Sequence, residues 1–293
     1  MTTTQDFTTQ GATNLGAEKI ARTSTAYALY NNGIWAGDKG LATVDQTDTY
    51  NSGSGTWNKP AGFDSRDTVL IEIWGAGGSG GCSASATFAA SGGGGGGAYL
   101  AYAVLYGDCP STISYSVGAG GAAGQVFSTV SVSGAAGGDS TVTISGVTFA
   151  AGGGGGGIAS IGAWALTVAG GPGSGQSVKN ASFALVPWGG VAGGSVTGGT
   201  TLSNGGNAVH GSGGGGAASI NSGSAYNSTG GTSFHGGDGG NAVFNADGVN
   251  GAAPGGGGGG SARVTTPATS GAGAAGRIVI SVLRGWHPSI LSR

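Results

Sequence analysis

The sequence predicts a mainly β chain, in which a small antiparallel β-sandwich carries packed, polyglycine II-like helices and long loops behind a short N-terminal segment of different composition. Three observations lead there. Of 293 residues, 71 are glycine and only 8% are charged, against roughly 7% glycine and roughly 25% charge in ordinary soluble domains, so a conventional core is not the default. Short apolar and β-branched runs recur, each stopped abruptly by glycine. Glycine itself comes in runs, at 92–97, 152–157, 213–216 and 255–260.

Residues 1–65 read as a segment apart, holding Lys19, Arg22, Lys39 and Lys59 with Trp35 and Trp57, and no glycine run longer than two. Residues 14–22 suggest a turn or two of helix, and 26–30 a strand entering an Asn31-Asn32-Gly33 turn. From 66 to 283 the pattern is strand and glycine. Strands are expected at 69–74, 98–105, 112–117, 140–144, 147–150 and 277–282. The last follows the first by some two hundred residues, so 151–276 reads as an insertion whose ends return to one scaffold. Residues 284–293, with Trp286, Ile290 and Leu291, form a tail suited to docking.

Glycine at this density would ordinarily mean disorder, because the chain loses much entropy on folding and buries few side chains. Disorder also calls for charge, and between Asp67 and Ala262 the one cationic side chain is Lys179. A packed structure is therefore expected. The glycines follow no G-X-Y period, which excludes collagen. A run of six can instead form an extended helix with three residues per turn, and such helices pack side by side, satisfying each other's backbone groups.

Composition also limits function. The net charge of −2, without a basic patch, removes the electrostatic basis for binding nucleic acid. No stretch reaches the length of a membrane helix, and the start MTTTQDFTTQ lacks the regions of a secretion signal, so synthesis in the cytoplasm is expected. His210, His235 and His287 are not at metal-helix spacing, and Cys82 and Cys109 lack zinc-site spacing; no metal or cofactor is expected. No G-x-S-x-G elbow sits between a strand and a helix, and the acids are too scattered for paired-carboxylate glycoside chemistry, so the chain reads as no enzyme.

The stretch Gly55-Thr56-Trp57-Asn58-Lys59-Pro60-Ala61-Gly62, then Val69-Leu70-Ile71-Glu72-Ile73-Trp74-Gly75-Ala76-Gly77-Gly78, resembles the opening of the glycine-rich domain of bacteriophage tail-fibre and tail-tip proteins. Gly271-Ala272-Gly273-Ala274-Ala275-Gly276-Arg277-Ile278-Val279-Ile280 resembles its close, and Ser116-Val117-Gly118-Ala119-Gly120-Gly121 and Gly137-Gly138-Asp139-Ser140-Thr141 its internal pieces. The glycine runs are similar to those of the distal adhesins of T-even-like phages, where polyglycine II helices carry variable receptor-binding loops.

The resemblance implies a virion protein of the tail, with residues 1–65 attaching to another virion protein of fibre, baseplate or collar and the glycine-rich domain facing outward. Its partners would be those proteins and a host-surface glycan or outer-membrane protein, and fibre symmetry suggests a homotrimer. Contact loops are expected at 82–91, 158–169, 176–188, 219–229, 241–253 and 261–270, anchored by Phe88, Trp164, Phe183, Trp188, Tyr226 and Phe244. Trp35, Trp57 and Trp286 are the candidates for virion docking, and Cys82 and Cys109 could pair as a disulfide. A structural connector or decoration fibre with no receptor is the competing reading. A more remote one is an ice-binding protein.

Overall fold

The computed structural model describes residues 43–162, 167–174, 176–179, 187–243, 245–264 and 267–284. The chain is mainly β, with several small sheets, predominantly antiparallel, and no barrel. β1 (Thr43–Tyr50) and β2 (Ser54–Asn58) lead into β3 (Thr68–Trp74), which runs directly into the glycine-rich segment 75–81. From there the chain travels out and back repeatedly between two ends.

β4 (Cys82–Ala84) and β5 (Phe88–Ser91) turn it at the far end, and 92–97 returns to β6 (Tyr99–Leu105) and β7 (Thr112–Ser116). Segment 118–124 leads out to β8 (Gln125–Val126) and β9 (Ser131–Val132), and 134–139 returns to β10 (Ser140–Ile144) and β11 (Val147–Ala151). Segment 152–157 leads to β12 (Ala159–Ile161), and 169–174 returns to β13 (Gln176–Lys179) and β14 (Pro187–Trp188). Then 189–194 leads out to β15 (Val196–Thr197) and β16 (Thr201–Leu202), 203–208 returns, and 211–216 leads out to β17 (Ala218–Asn221) and β18 (Ser224–Asn227). Segments 228–233, 236–242 and 247–253 alternate in the same way. Segment 255–260 leads to β19 (Ser261–Arg263) and β20 (Ala268–Thr269), and 270–276 returns into β21 (Arg277–Arg284).

At the near end lies the expected sandwich. One sheet has the order β1-β21-β3-β6-β14 and the other β13-β11-β10-β7-β2. Between them Val69, Ile71, Ile73, Leu100, Ile278 and Ile280 meet Trp57, Ile113, Val142 and Phe149. The run TVLIEIW of β3 is buried on both faces, and its one acid, Glu72, accepts a hydrogen bond of 2.8 Å from the Tyr99 hydroxyl. The β10–β11 hairpin turns on Ser145 (φ 49°) and Gly146 (φ 81°), the left-handed pair that a two-residue turn requires.

Two expectations change here. Residues 43–58 fall before the boundary expected at 65, yet β1 pairs with β21 and β2 with β7, which makes them part of the sandwich. The stretch 151–276 is also no separate insertion, since its glycine-rich segments share one bundle with 75–81, 92–97, 118–124 and 134–139.

The bundle obeys a three-residue rule. Along 75–81, the N–H groups of Gly75, Gly78 and Gly81 donate to the carbonyls of Ala98, Gly95 and Gly92. Those of Ala76 and Ser79 donate to Gly138 and Ala135, and those of Gly77 and Gly80 to Ala274 and Gly271. Every third residue faces the same neighbour, as polyglycine II demands. Segment 92–97 donates to 152–158, 189–194 and 255–258 and accepts from 75–81, 169–174 and 211–216, giving it six neighbours. At a polyglycine II rise, six residues span about 19 Å.

Glycine is obligatory inside this lattice for a steric reason. A Cβ built on Gly93 would lie 2.1 Å from the carbonyl oxygen of Gly215, and one on Gly96 2.0 Å from that of Ser212. Larger side chains occur where a row faces outward, as at Asn204, Asn207 and Asn250, while the few buried ones in the lattice, Ala76, Ser79 and Ser212, are small.

The outer rows are sealed by Asn and Asp in a recurring two-bond clamp. Asn204 Oδ1 accepts the Thr229 N–H (3.2 Å), while the Gly205 N–H donates to the Thr229 carbonyl (2.9 Å). Asn207 with Ala208 clamps Thr232 (2.8 and 2.9 Å). Asp247 with Gly248 clamps Thr269 (2.9 and 2.9 Å), and Asn250 with Gly251 clamps Ala272 (2.8 and 2.9 Å). The pairs 204/207 and 247/250 are three residues apart, one turn of the helix. Each clamp pairs an edge N–H that would otherwise face water.

Candidate functional site

The alternation of the segments sorts the connections into two groups. The sandwich strands and the short turns at 209–210 and 234–235 sit at one end, together with both ends of the described chain. At the other end gather the connections 82–91, 125–133, 158–168, 195–202, 217–227, 243–246 and 261–269, in their described parts. This loop-bearing end is the candidate site.

Its loops stand on a buried polar base. The Ser83 and Ser91 hydroxyls lie 2.7 Å apart, and Ser91 Oγ donates to the Ser261 carbonyl at 2.8 Å, tying the first returning loop to the last. Ser219 Oγ donates to the Gly199 carbonyl (2.8 Å). Above this base Ala89, Ala218, Ile220, Ala242 and Ala262 form a small apolar cluster. The β17–β18 hairpin closes on Ser222 (φ 49°) and Gly223 (φ 76°), a stiff two-residue turn.

What the loops present outward is almost free of charge. The one ionic side chain among these connections is Arg263, whose Nη1 pairs at 3.1 Å with Asp247 at the root of segment 247–253. The exposed large groups are Phe127 (72% exposed), Val130, Val132, Ile158, Tyr226 and Val264, set among Ser, Thr and Asn. Such a face offers apolar contact and neutral hydrogen bonding, and no electrostatic steering. Among the described residues there is no group of three or more His, Cys, Asp or Glu able to hold a metal ion.

Of the candidate contact residues, Tyr226 stands exposed on β18 and Phe88 is half-buried on β5, both at the loop end. Trp188 lies on β14 opposite Tyr99, at the sandwich end, so the described parts of the expected loop 176–188, β13 and β14, belong to the sandwich. Trp164, Phe183, Phe244, Trp35 and Trp286 lie outside the described residues.

Trp57, expected at a docking surface, is only 2% exposed: its ring fills the sandwich core and its Nε1 donates to Asp48 at 2.8 Å. Cys82 and Cys109 are both free thiols. Cys82 packs with Ala84, Val126 and Ala268 at the loop end, and Cys109 in the sandwich core, so they belong to different clusters and form no disulfide. Burial pushes each thiol up to about 11.

Sequence reasoning missed the loop 125–133, which carries Phe127, Val130 and Val132. The segments flanking it, 118–124 and 134–139, contain alanines and so do not read as glycine runs. A three-residue periodicity of small residues is the signal that marks them. At the other end Val209 and Phe234 are exposed on adjoining turns, and the imidazoles of His210 and His235 stack with centroids 4.6 Å apart beside Tyr99. Burial lowers both histidines from their ordinary value, and the neighbouring His210 lowers His235 further.

Comparison with protein-family models matches a glycine-rich domain across residues 47–283. The chain belongs to that glycine-rich domain family. The match begins within β1 and ends one residue short of the end of β21, so it spans the sandwich and the bundle together. No curated protein matches the sequence.

Proposed function

We propose that this glycine-rich domain protein is a non-catalytic structural protein of a bacteriophage particle, a tail-fibre or tail-tip component whose loop end contacts the host surface. The observation that carries the reading is the segregation of the connections. A bundle that places seven groups of loops at one end, opposite the sandwich and both ends of the described chain, separates display from attachment. The rigid backbone lattice holds the loops in fixed relation, which lowers the ordering cost of a contact. The likeness of the opening and closing motifs to phage tail proteins supplies the particle context.

The test is binding of fluorescently labelled protein to host cells, competed by intact phage, with a Phe127→Ser/Tyr226→Ser variant alongside. Saturable, competed binding that weakens about tenfold or more in the variant is expected, because exposed aromatic anchors carry much of such contacts. Absence of binding by the parent protein favours the connector reading. Equal binding by the variant places the contact elsewhere on the chain.

A further inference from the structure

Two of the edge clamps are built on Asn-Gly steps, Asn204-Gly205 and Asn250-Gly251. This is the dipeptide most prone to lose its side-chain amide, because glycine leaves the following backbone nitrogen unhindered. In the reaction, the glycine nitrogen gives up its proton and attacks the asparagine Cγ. Ammonia leaves and a five-membered imide remains, which one water opens to aspartate or isoaspartate.

The clamp holds both reacting groups away from that course. The Gly205 N–H is committed to the Thr229 carbonyl at 2.9 Å, and the Asn204 Oδ1 to the Thr229 N–H at 3.2 Å. For the second pair the bonds are Gly251 N–H to the Ala272 carbonyl (2.9 Å) and Asn250 Oδ1 to the Ala272 N–H (2.8 Å). Ring closure requires the glycine N–H bond to break and the backbone to leave its extended polyglycine II conformation. Both asparagines are exposed, so water reaches them, and it is the lattice rather than solvent exclusion that protects them.

We propose that Asn204 and Asn250 are latent deamidation sites, silent while the bundle is closed and reactive when segments 203–208 and 247–253 part from their neighbours. The reaction then makes the opening permanent. Isoaspartate adds a methylene to the backbone, so residues beyond it no longer fall on the three-residue register. Aspartate adds charge to a surface that holds little.

The experiment is peptide mapping by mass spectrometry of the full chain after incubation at alkaline pH, below and above its unfolding midpoint. It is repeated below the midpoint for Thr229→Pro, which removes the N–H that Asn204 accepts while suiting polyproline-like dihedrals. Conversion of both asparagines is expected to be at least about tenfold slower in the folded protein, because reaction waits on local opening. Thr229→Pro is expected to accelerate Asn204 and leave Asn250 slow. Equal rates in folded and unfolded protein, or an Asn204 as slow in Thr229→Pro as in the parent, overturn the proposal. If the variant unfolds, Asn250 accelerates with Asn204, and the comparison on the parent protein alone decides.

Discussion

At Gly93 the lattice leaves no room for a methyl group, because the atom a Cβ would strike, the Gly215 carbonyl oxygen at 2.1 Å, is backbone on a segment itself fixed by neighbours. Gly124, at the rim, would bring its Cβ no closer than 3.3 Å to Val132 Cγ1, a side chain that can shift. Gly93→Ala is therefore expected to lose at least about 3 kcal/mol, or not to fold, and Gly124→Ala to lose under about 1 kcal/mol. Denaturant unfolding of the two variants checks the contrast. This residue-level demand was partly legible in the sequence: an uninterrupted run such as 92–97 announces a position walled in on every side. The role of Trp57 was not legible. A tryptophan in a polar N-terminal stretch looks exposed until β2 pairs with β7 and turns it into the sandwich.

The polyglycine II segment is an element without side-chain packing, stabilised by hydrogen bonds to neighbours that are distant in sequence. Its edges need acceptors, which the Asn and Asp clamps supply. Removing one acceptor leaves a single rim N–H to water, a modest loss of about 0.5–1.5 kcal/mol. Asn207→Leu is expected to lose about that much, with faster amide exchange at Thr232, while Asn207→Asp retains Oδ1 and most of the stability. Calorimetry with hydrogen exchange at Thr232 tests both. The strands at 69–74, 112–117, 140–144 and 277–282 were readable because β-branched runs ending at glycine are a local signal. Segments such as 203–208 and 228–233 escaped notice because their outward rows carry side chains, Asn204 and Asn207 in one and Thr229 and Thr232 in the other, which break up the glycine. The sequence there resembles an ordinary polar loop, and the loop 125–133 was hidden for the same reason.

For the whole molecule, the two ends differ in chemistry as well as in form. The loop end is neutral, whereas the two turns beside the sandwich hold His210 and His235, stacked and shifted downward by burial. A folded-state value below the ordinary 6.5 means that the unfolded chain takes up protons first. Their contribution to stability is present above 6.5 and is lost as the pH falls through the lowered folded values. The midpoint of thermal unfolding is expected to drop on acidification in that window, and a His210→Gln/His235→Gln variant to flatten the profile. Thermal scans at several pH values decide it. The central position of segment 92–97 bears also on how the molecule is made. Five of its six partners, 152–158, 169–174, 189–194, 211–216 and 255–258, follow it in the chain, so its backbone groups find their last acceptors only once residue 258 has been synthesised. Closure of such non-local pairings is slow and concerted. A ribosome that stops before residue 258 releases a chain with an unfilled lattice, and the loops already made then lack their rigid support.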